Sequence, residues 1–92
     1  MRVEVRGRAE ADLLDILDFI AKDNPARAVT YVRELRRRFE VLAKHPSLGH
    51  EGRVAGTREL VLAPYVVVYA VDDAACLVSI VRVLHGSRKY PA

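Results

Sequence analysis

Six residues in the last third of the chain have side chains suited to gripping or turning over a phosphodiester. They are Arg58, Arg82, His85, Arg88, Lys89 and Tyr90. Cleaving an RNA backbone needs an acceptor for the 2′-OH proton, a donor for the leaving oxygen and cations for the phosphate. His85 can move the proton, Arg58, Arg82 and Arg88 can hold phosphate, and Tyr90 can orient a base or a proton. Each also has a structural reading. An arginine inside an apolar strand snorkels or pairs with a carboxylate such as Glu59. A histidine that ends a strand is more often a hydrogen-bonded turn residue than a catalyst. Other chemistries are absent: no Cys/His spacing for zinc, no Gly-rich phosphate loop before a helix, and no serine nucleophile elbow. His45 and His50 share no ligand spacing, so neither a metal nor a cofactor is expected.

These residues need a sheet to carry them. RELVL, YVVVYAV and CLVSIVRVL predict three strands, over Arg58–Leu62, Tyr65–Val71 and Cys76–Leu84. The Val66–Val71 run is rich in β-branched residues and reads as a strand buried on both faces. Ala63-Pro64 and Asp72–Ala75 are short enough to be hairpin connections. Upstream, Arg2–Arg6 alternates charge with Val3 and Val5, a half-buried strand that Gly7 ends while capping the following helix. Ala9, Leu13, Ile16, Leu17 and Ile20 then recur at spacings of three and four, with Asp12, Asp15 and Asp18 assigned to the solvent side. Asn24-Pro25 predicts an N-cap followed by a first-turn proline. The second helix runs to about Lys44 on the stripe Ala28, Val32, Leu35, Phe39 and Leu42, with a Glu34–Arg38 pair at i,i+4. His45-Pro46 stops it, and Pro46–Thr57 reads as loop. The order β-α-α-β-β-β predicts an α+β domain: a helical hairpin on one face of a small, mainly antiparallel sheet. The opposite face is expected to be open or otherwise covered, and an open face would be a binding surface.

With 92 residues the chain forms one domain, spanning residues 1–92. No apolar run approaches the roughly 18 residues of a membrane helix. The single Cys76 excludes an internal disulfide, suggests a cytoplasmic setting, and reads as a buried structural thiol. Net charge is +3 but unevenly spread. Arg8–Asp23 holds two basic and five acidic residues, whereas Pro25–His45 holds six basic and two acidic. That contrast favours an antiparallel pair of helices with attracting flanks. Arg36, Arg37 and Arg38 fan about 100° apart on a helix, so they form no single patch. Arg36 and Arg37 are left available to an acidic partner.

The series AEADLLDILDFI, DNPARA, LAKHPSLG, GTRELV, PYVVVY and RVLHGSR, taken in order, resembles the RelE/ParE superfamily of toxins. These are the toxin halves of type II toxin–antitoxin modules, also called plasmid stabilisation proteins. The resemblance runs from Val3 to Pro91 and implies a βααβββ fold. It also implies a cognate antitoxin, with higher-order toxin–antitoxin assembly, and no membrane partner. Of the two branches, the RelE-like cuts mRNA in the ribosome and the ParE-like poisons DNA gyrase. RelE-type nucleases place an arginine after the tyrosine that starts the middle strand, where this chain has Val66. They carry a basic residue just past the last strand, where Gly86 stands, and Tyr90 matches their tail tyrosine only loosely. The ending Arg82–His85 is closer to ParE-like toxins. The resemblance therefore implies gyrase inhibition, with Arg82, His85, Arg88 and Lys89 binding the target. Its alternatives are a metal-independent, ribosome-dependent endoribonuclease using Arg58, His85 and Tyr90, or an inactive homologue that binds only its antitoxin. Arg36, Arg37 and Phe39 are the expected antitoxin contacts.

Overall fold

A computed structural model describes residues 1–91. The elements are β1 (Arg2–Val5), α1 (Gly7–Ala21), α2 (Pro25–Lys44), β2 (His50–Glu51), β3 (Arg58–Leu62), β4 (Tyr65–Asp72) and β5 (Leu77–His85). They build the expected α+β fold, with a five-stranded sheet in the order β1-β5-β4-β3-β2. β1 runs parallel to β5, and every other pairing is antiparallel. β2 lies within the segment expected to be loop, because two residues are too short to leave a periodic signal. No helix is long and apolar enough to cross a membrane.

Both helices pack on one face of the sheet. Ala9, Leu13 and Ile16 of α1 and Leu35, Phe39 and Leu42 of α2 meet Tyr65, Val67 and Tyr69 of β4 and Val78, Ile80 and Val83 of β5. Phe39, expected from the sequence as an antitoxin contact, is only 2% exposed and packs in the core of this chain. Asn24 caps α2 as expected, its side chain accepting from the Arg27 N–H, with Pro25 in the first turn. α1 begins one residue earlier than expected: Arg6 is the N-cap and Gly7 lies inside the helix. The charge contrast between the helices produces one ion pair across the hairpin among the described residues, Arg36 to Glu10 at 2.6 Å. It is half exposed and contributes at most ~1 kcal/mol. Glu34 pairs with both Arg37 and Arg38 on α2.

The centre of the opposite face is covered, while Val61 on β3 stays exposed. Val66, Val68 and Leu84 are buried there. Glu59 on this face takes the guanidinium and backbone N–H of Arg53, from the loop before β3. That guanidinium also lies over the Tyr90 ring, 5.7 Å from its centre, so loop and tail meet across the face. Arg53 hydrogen bonds hold the Glu59 carboxyl below its usual range, outweighing the opposing effect of burial.

The loop after α2 is fastened from below. The Tyr69 hydroxyl donates to the Pro46 carbonyl at 2.7 Å and accepts from the Gly49 N–H at 2.9 Å. Gly49 has no room for a side chain: a Cβ would stand 2.6 Å from the Glu59 carbonyl oxygen and 2.8 Å from the Tyr69 hydroxyl. Because one obstacle is backbone, relief requires the strand to move. Gly49→Ala should destabilise the fold by about 2 kcal/mol, within the range for overpacking, read as a lower urea midpoint at unchanged slope.

Cys76 is exposed, contrary to the sequence reading. It closes the β4–β5 turn in the left-handed region, at φ 51°. The apolar run begins after it, because Asp72 Oδ1 accepts from the Ala75 N–H and the chain completes its reversal at Cys76.

Candidate functional site

The carboxy-terminal end of β5 is organised by a buried ion pair. β1 stops pairing at Val5, opposite Ile80, and leaves the outer edge of β5 uncovered beyond that point. α1 crosses this edge and sets Asp12 against it. The Asp12 carboxylate accepts from Arg82 Nε at 2.8 Å, Arg82 Nη2 at 3.0 Å and the Val83 backbone N–H at 2.8 Å. A β-bulge helps to place the pair: Val68 faces Arg82 and Tyr69 faces Ile80, so Val81 is the extra residue. The hydrogen bonds to Asp12 raise the Arg82 pKa further above its ordinary value. The carboxylate expected for Arg82 was Glu59; the partner is Asp12, and Glu59 belongs to Arg53. Asp12 itself was assigned to solvent. It is 7% exposed, and its spacing from Ala9 and Ile16, three and four residues, could have placed it on the buried stripe.

His85 ends β5 in the open. Its ring meets the Tyr65 ring edge-on, centroids 5.7 Å apart. The Ser87 backbone N–H donates to Nδ1 at 3.1 Å, which makes Nδ1 the acceptor and leaves the proton on Nε2. The tail then turns back, with the Gly86 N–H on the Pro64 carbonyl and the Arg88 N–H on the His85 carbonyl.

Two clefts flank this end. The larger, about 500 Å³, is lined by Arg6, Arg8, Val81, Arg82, Arg88, Lys89, Tyr90 and Pro91. The smaller, about 270 Å³, brings Phe19, Tyr65, Leu84, His85 and Arg88 beside Asp12 and Asp15. Arg82, Arg88, Lys89 and Tyr90 are thus gathered, and Arg88 connects them to His85. Arg6 and Arg8 also belong here, although they were not singled out. They lie about 75 residues upstream in sequence and reach the tail because β1 pairs in parallel with β5.

Arg58 is not part of this group. It pairs with Tyr69, whereas His85 pairs with Tyr65 at the other end of β4. Four residues separate them along the strand, roughly 13 Å, and two strand spacings separate them across it, about 10 Å. Its guanidinium donates to the Ser47 and Gly49 carbonyls and helps to fasten the loop. Arg58, His85 and Tyr90 therefore do not converge on a single reacting atom.

On the outer side of the hairpin, Leu17, Val29, Val32, Arg33 and Arg36 line a groove of about 290 Å³. Leu14 and Val29 are 61% and 50% exposed. Arg36 and Arg37 remain on the surface, paired with Glu10 and Glu34.

The fold and sequence match known toxins. A putative toxin, Y4kP of Sinorhizobium fredii, is 36% identical over 86 residues, covering 91% of this chain and 86% of that protein. Toxin RelE2 and toxin ParE1 of Caulobacter vibrioides are 40% and 39% identical, covering 88% and 87% of this chain and 90% and 83% of their own. Among solved structures, the chromosomal ParDE system from P. aeruginosa superposes with a TM-score of 0.80 at 23% identity, over 92% of this chain and 95% of that one. The RelBE2 toxin–antitoxin complex from Mycobacterium tuberculosis gives 0.63 at 25%, over 91% and 95%. The family model for the ParE toxin of the type II toxin–antitoxin system parDE matches residues 3–90. With nearly every described residue inside that match, the chain belongs to the ParE toxin family, within the RelE/ParE superfamily of type II toxins.

Proposed function

We propose that this toxin acts by binding rather than by cleavage, with DNA gyrase as its target, and that a cognate antitoxin neutralises it in the cytoplasm. Overall likeness does not select the branch, because relatives named RelE2 and ParE1 stand at 40% and 39% identity. The observation that carries the reading is the dispersal of the nuclease candidates. Arg58 serves the loop after α2, far from His85, and Arg82 serves Asp12, so of the three arginines only Arg88 is left beside His85. What is left at the tail is a binding surface: Arg88, Lys89 and the His85 ring.

Expression without the antitoxin tests this. His85→Gln retains a donor and an acceptor but cannot relay a proton. General acid–base catalysis contributes about 10²–10⁴-fold, so a nuclease would lose toxicity by at least that factor. The binding reading expects toxicity within roughly tenfold of the parent, with gyrase-linked DNA breaks and intact mRNA. Codon-phased cuts in translated messages that vanish in His85→Gln would establish the nuclease instead. The inactive-homologue alternative requires no toxicity from the parent chain.

The antitoxin is assigned to the hairpin groove, where Leu17, Val32 and exposed Val29 offer apolar surface and Arg33 and Arg36 offer charge, with Arg37 exposed on the same helix. Higher-order assembly would follow from the antitoxin joining more than one such complex. Arg36→Glu with Arg37→Glu should weaken the toxin–antitoxin complex by about tenfold or more, because like charges across an interface are costly. Titration calorimetry with unchanged affinity would remove the electrostatic part of this assignment.

A further inference from the structure

The 500 Å³ cleft between the start of α1 and the tail has a composition unlike the rest of the surface. Five cations line it, Arg6, Arg8, Arg82, Arg88 and Lys89, and no carboxylate among the described residues does. Only Arg82 among them has an ion-pair partner among the described residues. The chain holds 12 acidic residues, yet four cations with no ion-pair partner among the described residues converge on one site. Such mutual repulsion is tolerated where an anion supplies the missing charge.

We infer that this cleft grips the phosphodiester backbone of duplex DNA, so that the toxin contacts DNA as well as its protein target. The inference rests on the binding reading above and names a second component of the target. A protein partner is less well suited to this wall. The centres of protein interfaces are depleted of charge and rich in apolar anchors. The large exposed apolar side chains, Met1, Leu14, Phe19, Val29, Leu48 and Val61, all lie outside the cleft. Nucleic-acid backbones need no such anchor: arginine and lysine contacts with counterion release supply the affinity. A single strand is also less well suited, because it is held by stacking bases on free aromatic faces. The one ring in this cleft, Tyr90, already has the Arg53 guanidinium over it. Arg6 and Arg8 on one wall and Arg88 and Lys89 on the other are suited to straddling successive phosphates without reading bases.

Fluorescence anisotropy with a labelled mixed-sequence duplex, over a range of salt concentrations and without gyrase, tests this. Each phosphate-contacting cation adds about 1 to the slope of log affinity against log salt. Arg6→Gln with Arg88→Gln should flatten the slope by about 2. Arg27→Gln with Arg38→Gln removes the same charge from α2 and should leave the slope unchanged. Equal flattening by the two pairs would reduce the effect to net charge and overturn the inference. So would no duplex binding at low salt, a stronger preference for single-stranded RNA, or displacement by poly-glutamate as effective as by DNA. Circular dichroism confirms that each variant is folded. Gyrase inhibition is scored separately: DNA binding without inhibition contradicts the target reading alone, and inhibition without DNA binding contradicts the cleft alone.

Discussion

Asp12→Ala should lower folding stability by about 3–5 kcal/mol, the cost of removing one partner from a buried ion pair. The substitution strips two hydrogen bonds from Arg82 and one from the Val83 backbone N–H at once. With its side chain 12% exposed, Arg82 recovers little solvation from water. A small domain has a total of only about 5–15 kcal/mol to lose, so the variant should be close to unfolding at 37 °C. Asp12→Asn retains an acceptor for Val83 and should fall between parent and alanine. Replacing both partners with apolar residues, Asp12→Leu with Arg82→Met, should cost less than Asp12→Ala, since no charge is stranded. Urea unfolding checks the series. A loss below about 1 kcal/mol for Asp12→Ala would mean that the pair is solvated and does not organise the end of β5. By the same logic Arg82→Ala should reduce toxicity whether or not Arg82 touches a target, because the strand end carrying His85 and the tail would lose its anchor.

Phe39→Ala should be comparably damaging, by about 3–5 kcal/mol, through the cavity left by a fully buried ring. Phe39 packs with Leu35 and Leu42 against the sheet. Phe39→Leu fills most of that volume and should cost far less. It should also leave antitoxin affinity unchanged once the folded fraction is matched. If Phe39→Leu folds normally yet binds antitoxin more than tenfold worse, the ring contributes to the interface and its burial is relieved in the complex.

What the sequence disclosed follows from how local each signal is. Asn24-Pro25 announces the second helix because the cap and the first-turn proline act on neighbouring backbone groups. The Val66–Val71 run discloses a strand covered on both sides because composition alone records burial. Asp12 was misread because charge was weighed above position: an acid on the buried stripe is explained only by Arg82, 70 residues away. Phe39 could be read as core from its stripe or as a contact from the family resemblance, and packing decided for the core. Cys76 sits beside an apolar run, but its φ of 51° is a property of the turn and has no sequence signature in cysteine. The cleft was half legible. Arg88 and Lys89 stand out at the end of the chain, whereas Arg6 and Arg8 join them only through the parallel β1–β5 register.

The dispersal of Arg58, His85 and Tyr90 underlies the whole functional reading, and purified gyrase tests it most directly. DNA supercoiling by gyrase should be inhibited by the parent chain, with accumulation of enzyme-linked DNA breaks, and restored by adding the cognate antitoxin. His85→Gln should inhibit to within about tenfold of the parent, since the loss of a proton relay affects only a catalyst. Undiminished supercoiling at saturating toxin, with the same preparation cutting mRNA on translating ribosomes, would contradict the account.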